Sequence, residues 1–268
     1  MNFNPSDLYG VLPALILAVG ALAVLMSEVF LSTVKPALLG VGTGAAGAAQ
    51  AQLPAGSAAA PPPPAPAPDR RYQACLAAAF AVAALWAAVE QFGDPTVSLF
   101  SGAAVSDGFG RVVAAVACGS LALSCLVAFS YLEALRATRG EFYALAMFSC
   151  AGMCLIAQAT DLIVIFLSLE VLSLSLYALC AYLRRGKKPA EAAFKYFILG
   201  SFASAIFLYG AALAFGATGS TRLADVAAAV KALAQNQAVP GTGPLLLAAV
   251  ALLTSGFAFK VAAVPFHM

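Results

Sequence analysis

Seven stretches of this chain are each apolar for long enough to cross a membrane, which leaves few folds open. Runs of about 20 apolar residues, the length that spans a hydrocarbon core, occur at 8–31, 72–90, 109–131, 142–159, 161–183, 190–216 and 244–268. A backbone in lipid must satisfy its own hydrogen bonds, so such runs read as helices. Of 268 residues, 62% are hydrophobic and 10% charged, where an ordinary soluble domain carries about 25% charged residues. No soluble fold of this size hides so much apolar side chain and keeps a wetted surface. The expected fold is an all-α polytopic membrane protein, about six full transmembrane helices plus a broken seventh. A soluble enzyme, a disordered regulator and a secreted disulfide scaffold are excluded. The net charge of +2, with no basic cluster interleaved with aromatics, excludes a nucleic-acid partner.

Lys and Arg between spans set orientation. With the N-terminus outside, the cytoplasmic side carries Lys35, Arg70, Arg71, Arg136, Arg139, Arg184, Arg185, Lys187 and Lys188, and the outside only Arg111, Arg222 and Lys231. That asymmetry predicts N-terminus out. Asp7, with no Lys or Arg before the first run, speaks against a secretory signal. Residues 41–69, rich in Ala, Gly and Pro, read as a cytoplasmic linker. Its GTGAAG at 42–47 matches GxGxxG formally, but no strand precedes it and no helix follows, so the match is chance. In 217–242, Leu223, Val226, Val230 and Leu233 recur at helical spacing, which suits either a short amphipathic helix on the outer face or a plain helical loop. All six cysteines, at 75, 118, 125, 150, 154 and 180, fall in apolar stretches. Cys150 and Cys154 share a helical face but lack CxxC spacing, and His267 is the single histidine. They read as small packing residues, with little support for a metal site.

Ionisable residues inside a span cost at least about 2.5–3.5 kcal/mol at the helix centre. Glu170 lies nine residues after Asp161, roughly 13–14 Å along the helix. It is too short to snorkel, and Ser173 and Tyr177 follow on its face at i+3 and i+7. It suits a proton relay; the plainer alternative is a polar contact between helices. Lys260 lies sixteen residues after Pro244, with Gly256 one turn before it and His267 two turns after. Pro265 predicts a helix break near Val261. Breaks at membrane depth are tolerated only inside protein or beside a watery cavity, and in transporters they mark ion sites. Lys260 is thus a candidate proton carrier. His267, beside the break, reads equally as a relay or a packed residue. Lys195, seven residues after Lys188, is about 10 Å along its helix and could reach the interface or pair with Glu191 at i,i+4. Gly200, Ser204 and Gly210 form a small-residue pattern that close helix packing explains.

Four segments together resemble the subunit N family of bacterial NADH–quinone oxidoreductase, respiratory complex I. They are LFSGAAVSDGFGR at 99–111, GEFYALAMFSCAGMCLIAQATDLIVIFLSLEVLSLSLYAL at 140–179, EAAFKYFILGSFASAIFLYGAALAFGATGS at 191–220 and FKVAAVPFHM at 259–268. The resemblance implies an antiporter-like inverted-repeat fold whose mid-membrane Glu and Lys residues carry protons. It matches Glu170 to the glutamate of the fifth span, Lys195 to the lysine of EAxxKYF, Lys260 to the lysine before the PFH break and His267 to the histidine of that break, with Glu170 and Lys260 as the expected pair. It implies a translocase subunit of the respiratory chain in the bacterial plasma (inner) membrane, partnered by other membrane-arm subunits. NADH, FMN, iron–sulfur clusters and quinone are expected on those other subunits, and no cofactor or metal on this chain. Alternative readings are a subunit of a cation/proton antiporter or membrane hydrogenase, and a non-pumping remnant.

The chain departs from the family pattern in its long Pro/Ala-rich stretch and in stopping at Met268, where the family continues into a second half-helix and a second repeat. The expected organisation is a first transmembrane helix in 1–35, the linker in 36–71, helices two and three in 72–140 and a partial proton-channel repeat in 141–268. A repeat cut there is expected not to pump alone.

Overall fold

A computed structural model of the chain describes residues 5–38, 71–135, 140–183, 187–235 and 241–264. The linker expected at 41–69, its GTGAAG segment, Pro265 and His267 lie outside them. The described elements are α1 Pro5–Gly10, α2 Leu12–Leu38, α3 Arg71–Glu90, β1 Val97–Leu99, β2 Ala104–Ser106, α4 Gly108–Ala134, α5 Gly140–Gln158, α6 Leu162–Cys180, α7 Lys187–Thr218, α8 Leu223–Ala234 and α9 Thr242–Lys260. Seven of these helices, α2 to α7 and α9, are long and apolar enough to cross a membrane, and they coincide with the seven expected runs. The first run is divided at Val11, between α1 and α2. Pro13 sits in the first turn of α2, where a missing N–H leaves no bond unmade.

The helices form two packed groups. In the first, α2 packs on α3 and α5, and α4 on α3 and α5. Their shared core runs from Leu17 and Val24 of α2 through Ala77, Ala81 and Ala84 of α3 to Tyr143 and Met147 of α5. In the second group α7 packs on α6 and α9, around Ile165, Leu169, Phe207, Ala211 and Ala249. The groups meet at α5 and α6, where Gly152 lets the backbones touch. A Cβ there would stand 2.8 Å from the Ser168 carbonyl oxygen and the Leu172 nitrogen. Gly210 and Gly256 play the same part between α7 and α9. A Cβ on Gly210 would lie 2.8 Å from the Leu253 nitrogen, and one on Gly256 2.7 Å from the Phe207 Cβ. Small residues at helix crossings let dispersion contacts accumulate where the hydrophobic effect no longer drives association.

One end of the bundle is closed by a feature that hydropathy does not announce. β1 and β2 form an antiparallel hairpin, Val97 opposite Ser106. Its turn carries Phe100 at φ 47, Ser101 at φ 58 and Gly102 at φ 92. The Phe100 N–H donates to the Asp7 carboxylate at 3.2 Å. Arg111, an exposed outer charge by its sequence position, is in fact 4% exposed. Its guanidinium donates to the carbonyls of Asp94 at 2.6 Å, Pro95 at 2.9 Å and Ser106 at 3.2 Å. Three carbonyl dipoles thus replace water around a buried cation. Asp107 caps α4 by accepting from the Gly110 N–H at 2.7 Å.

On the same side, Asp161 caps α6. It accepts from the Ile163 N–H at 2.8 Å and from the Thr221 hydroxyl at 2.5 Å. α8 forms where the helical spacing of 223–233 allowed it, with Val226 buried and Leu223 and Val230 exposed. At the opposite end, the Glu28 carboxylate accepts from the Gln73 side chain and from the Gly140 N–H. That places a negative charge at the start of α5, where the helix dipole favours it.

Candidate functional site

Glu170, on α6, is half-buried and accepts a hydrogen bond from the Ser204 hydroxyl of α7. Lys260 is the last residue of α9. Its ammonium donates to the Ser173 hydroxyl at 2.7 Å and to the Tyr177 hydroxyl at 3.4 Å, both on α6. Ser173 and Tyr177 are buried, so the polar stripe at i+3 and i+7 from Glu170 faces α9 rather than lipid. Glu170 and Lys260 line one small pocket with Phe166, Leu169, Ser204, Phe207 and Gly256. Each charge meets a hydroxyl, and no direct ion pair within 4.0 Å joins the two. Bonded to hydroxyls that both donate and accept, the charges remain apart while the donors and acceptors between them can reorient.

Glycines let the second group close around this pocket. A Cβ on Gly200 would fall on the Tyr177 hydroxyl, so only glycine leaves room for the tyrosine that Lys260 addresses. Tyr177 is also held edge-on by Tyr196 and Phe197, at 4.6 and 5.8 Å between ring centroids.

The end of α9 has its own geometry. The Ala263 N–H donates to the Ala258 carbonyl at 2.8 Å and the Ala262 N–H to the Phe259 carbonyl at 3.1 Å, while Ala262 takes φ 51. Those paired bonds with a left-handed residue after the cap are a Schellman ending, here with alanine where glycine is usual. The helix stops within a residue of the break expected at Val261. It leaves the Lys260 ammonium at the negative end of the helix dipole.

Lys195 is placed elsewhere. It points from an exposed face of α7 and pairs with Glu191 at 2.6 Å, the side chains 68% and 61% exposed. That is the i,i+4 pairing open to it from sequence. The Ser204 contact was not foreseen, since the small residues of α7 read as packing alone. A hydroxyl at i+4 from Gly200, facing the helix that bears Glu170, was the available signal.

A family profile described as "NADH:quinone oxidoreductase/Mrp antiporter, TM" matches residues 159–268, the stretch that holds Glu170, Lys195, Lys260 and His267. NADH-quinone oxidoreductase subunit N of Myxococcus xanthus (strain DK1622) is 43% identical over 267 residues, 100% of this chain and 44% of that protein. The chain is homologous to the NADH-quinone oxidoreductase subunit N family. Another member of the subunit N family, subunit N 1 of Sorangium cellulosum (strain So ce56), is 49% identical over 164 residues, 61% of this chain and 32% of that protein. Among solved structures, a chain of respiratory complex I from Thermus thermophilus with bound aureothin superposes with TM-score 0.64 at 30% identity, over 95% of this chain and 45% of that one. A chain of the archaeal membrane-bound sulfane sulfur reductase shares the fold, with TM-score 0.59 at 22% identity over 72% of this chain and 40% of that one. This chain therefore spans less than half the length of these subunit N relatives.

Proposed function

We propose that this chain works in the membrane arm of an NADH–quinone oxidoreductase, moving protons through buried Glu and Lys side chains as quinone is reduced on other subunits. The observation that carries the reading is the single pocket that holds Glu170 and Lys260, each bonded to a hydroxyl. Homology to the subunit N family supplies the assembly in which such a pocket has a use. In this reading Glu170 and Lys260 exchange a proton across the pocket, with Ser173, Ser204 and Tyr177 as reorienting partners. Lys195, paired with Glu191, serves as a further charge of the relay, and His267 as another proton carrier. The channel repeat takes in residues 141–268, with the first span in 1–35 and two supporting spans in 72–140. The N-terminus lies outside a bacterial inner membrane.

The test replaces Glu170→Gln or Lys260→Ala in the assembled complex and measures proton pumping driven by NADH in sealed vesicles. Pumping per NADH oxidised falls in both variants while assembly is retained. Unchanged pumping in both sinks the relay and leaves a structural role.

A further inference from the structure

Three thiols converge inside the first helix group, where the sequence offered only two on one helical face. Cys118 of α4 meets Cys150 and Cys154 of α5, and their three sulfurs all lie within 4.8 Å of one another. Each residue is at most 1% exposed, and all three are free thiols. A three-coordinate centre that keeps a lone pair is pyramidal, and with bonds of about 2.3 Å its three sulfurs stand roughly 3.5 Å apart. Side-chain rotation on binding draws the triad together to that spacing.

The surroundings decide what such a centre can be. Ala114, Leu121, Met147 and Ala151 belong to the same buried cluster as the thiols. Arg111, seven residues before Cys118, spends its guanidinium on the carbonyls of Asp94, Pro95 and Ser106. A divalent ion bound by three thiolates would leave a net negative charge in apolar surroundings, which is costly without a partner. A trivalent metalloid bound by three thiolates is neutral. Access exists for a neutral reagent: a groove of about 590 Å3 between α4, α5 and α6 reaches Cys150, and Ser120, Ser124 and Ser149 give it polar points.

We propose that Cys118, Cys150 and Cys154 form a capture site for a trivalent metalloid, arsenic(III) or its heavier congener antimony(III), which arrives as the uncharged trihydroxide. Three arsenic–oxygen bonds break and three arsenic–sulfur bonds form. The three thiol protons leave with the hydroxides as three waters. Arsenic stays trivalent, so the step needs no oxidant or reductant. The adduct ties α4 to α5.

The full chain in detergent or in its assembled complex is treated with sodium arsenite and studied by X-ray absorption at the arsenic edge. The expected spectrum shows three sulfur neighbours and no oxygen, at one arsenic per chain. Cys118→Ala removes one ligand and weakens uptake roughly 100-fold, the loss expected when an intramolecular third contact disappears. Replacing the exposed Cys75 and Cys180 by Ser leaves the spectrum and uptake unchanged. Oxygen or only two sulfurs around arsenic in the unaltered chain overturns the proposal, whatever the variants do. So does undiminished uptake by the Cys118→Ala chain, or loss of uptake with Cys75 and Cys180 alone. Buried cysteine packs as a small apolar residue, so Cys118→Ala is compatible with folding, and its unfolding without arsenite verifies that.

Discussion

Ala262 and Gly200 make the sharpest claims on single side chains. Alanine in the left-handed region costs about 1–2 kcal/mol relative to its right-handed conformation, a penalty that glycine escapes. Ala262→Gly is therefore expected to stabilise the chain by about 1 kcal/mol, seen as a higher denaturant midpoint in detergent; a lower midpoint contradicts the Schellman ending. Gly200→Ala drives a methyl into the Tyr177 hydroxyl, and overpacking of that kind costs about 1–3 kcal/mol. Thermal unfolding of this variant unchanged from the parent would show that Tyr177 does not sit where it is described. At this scale the sequence was a partial guide. Glu170 and Lys260 were legible because a charge in an apolar run is expensive and so conspicuous. Ser204, Arg111 and Cys118 were not, because their roles depend on what another helix or a hairpin brings to them. Arg111 counts as an ordinary outer charge until its carbonyl partners are known, and Cys118 is thirty-two residues from Cys150, on a different helix.

Among the elements, the span ends are set by caps and the crossings by glycines. Asp161 caps α6 and also accepts from Thr221, so Asp161→Ala removes both bonds. An N-cap replaced by alanine costs about 0.5–2 kcal/mol, and hydrogen exchange should show the first turn of α6 opening before the rest. Equal protection in parent and variant would rule out a capping role. Gly152→Val is expected to be more damaging, since its backbone contact with α6 leaves no side chain free to move aside. The cost is at least about 1–3 kcal/mol, and cross-linking between α5 and α6 would fall with it. The seven helices were readable from apolar length alone. The hairpin was not: its strands have three residues each, too few for an alternating pattern, and its turn depends on left-handed residues that hydropathy does not mark. The division at Val11 was hidden too, because the residues on either side of it, from Leu8 to Leu15, carry no charge that would mark it.

At the scale of the whole molecule, two helix groups share one seam, and the candidate site belongs wholly to the second. Ser98 lies on the hairpin end and Lys188 near the opposite end of α7, both exposed. With Cys75 and Cys180 first replaced by Ser, a membrane-impermeant maleimide applied to intact cells should label Ser98→Cys and spare Lys188→Cys; the reverse pattern inverts the orientation inferred from Lys and Arg. That charge asymmetry spoke to the outside and inside of the chain, but nothing in it told which helices would group. Glycine marks contacts of both kinds: Gly210 and Gly256 bring α7 and α9 together within one group, and Gly152 joins the two groups at their seam. The ending of α9 carries a mechanical consequence. The bonds from the Ala262 and Ala263 N–H groups hold the helix at its present length. The carbon stem of Lys260 is thereby fixed at its root, and its ammonium reaches Ser173 and Tyr177 from a set point rather than from a fraying helix end.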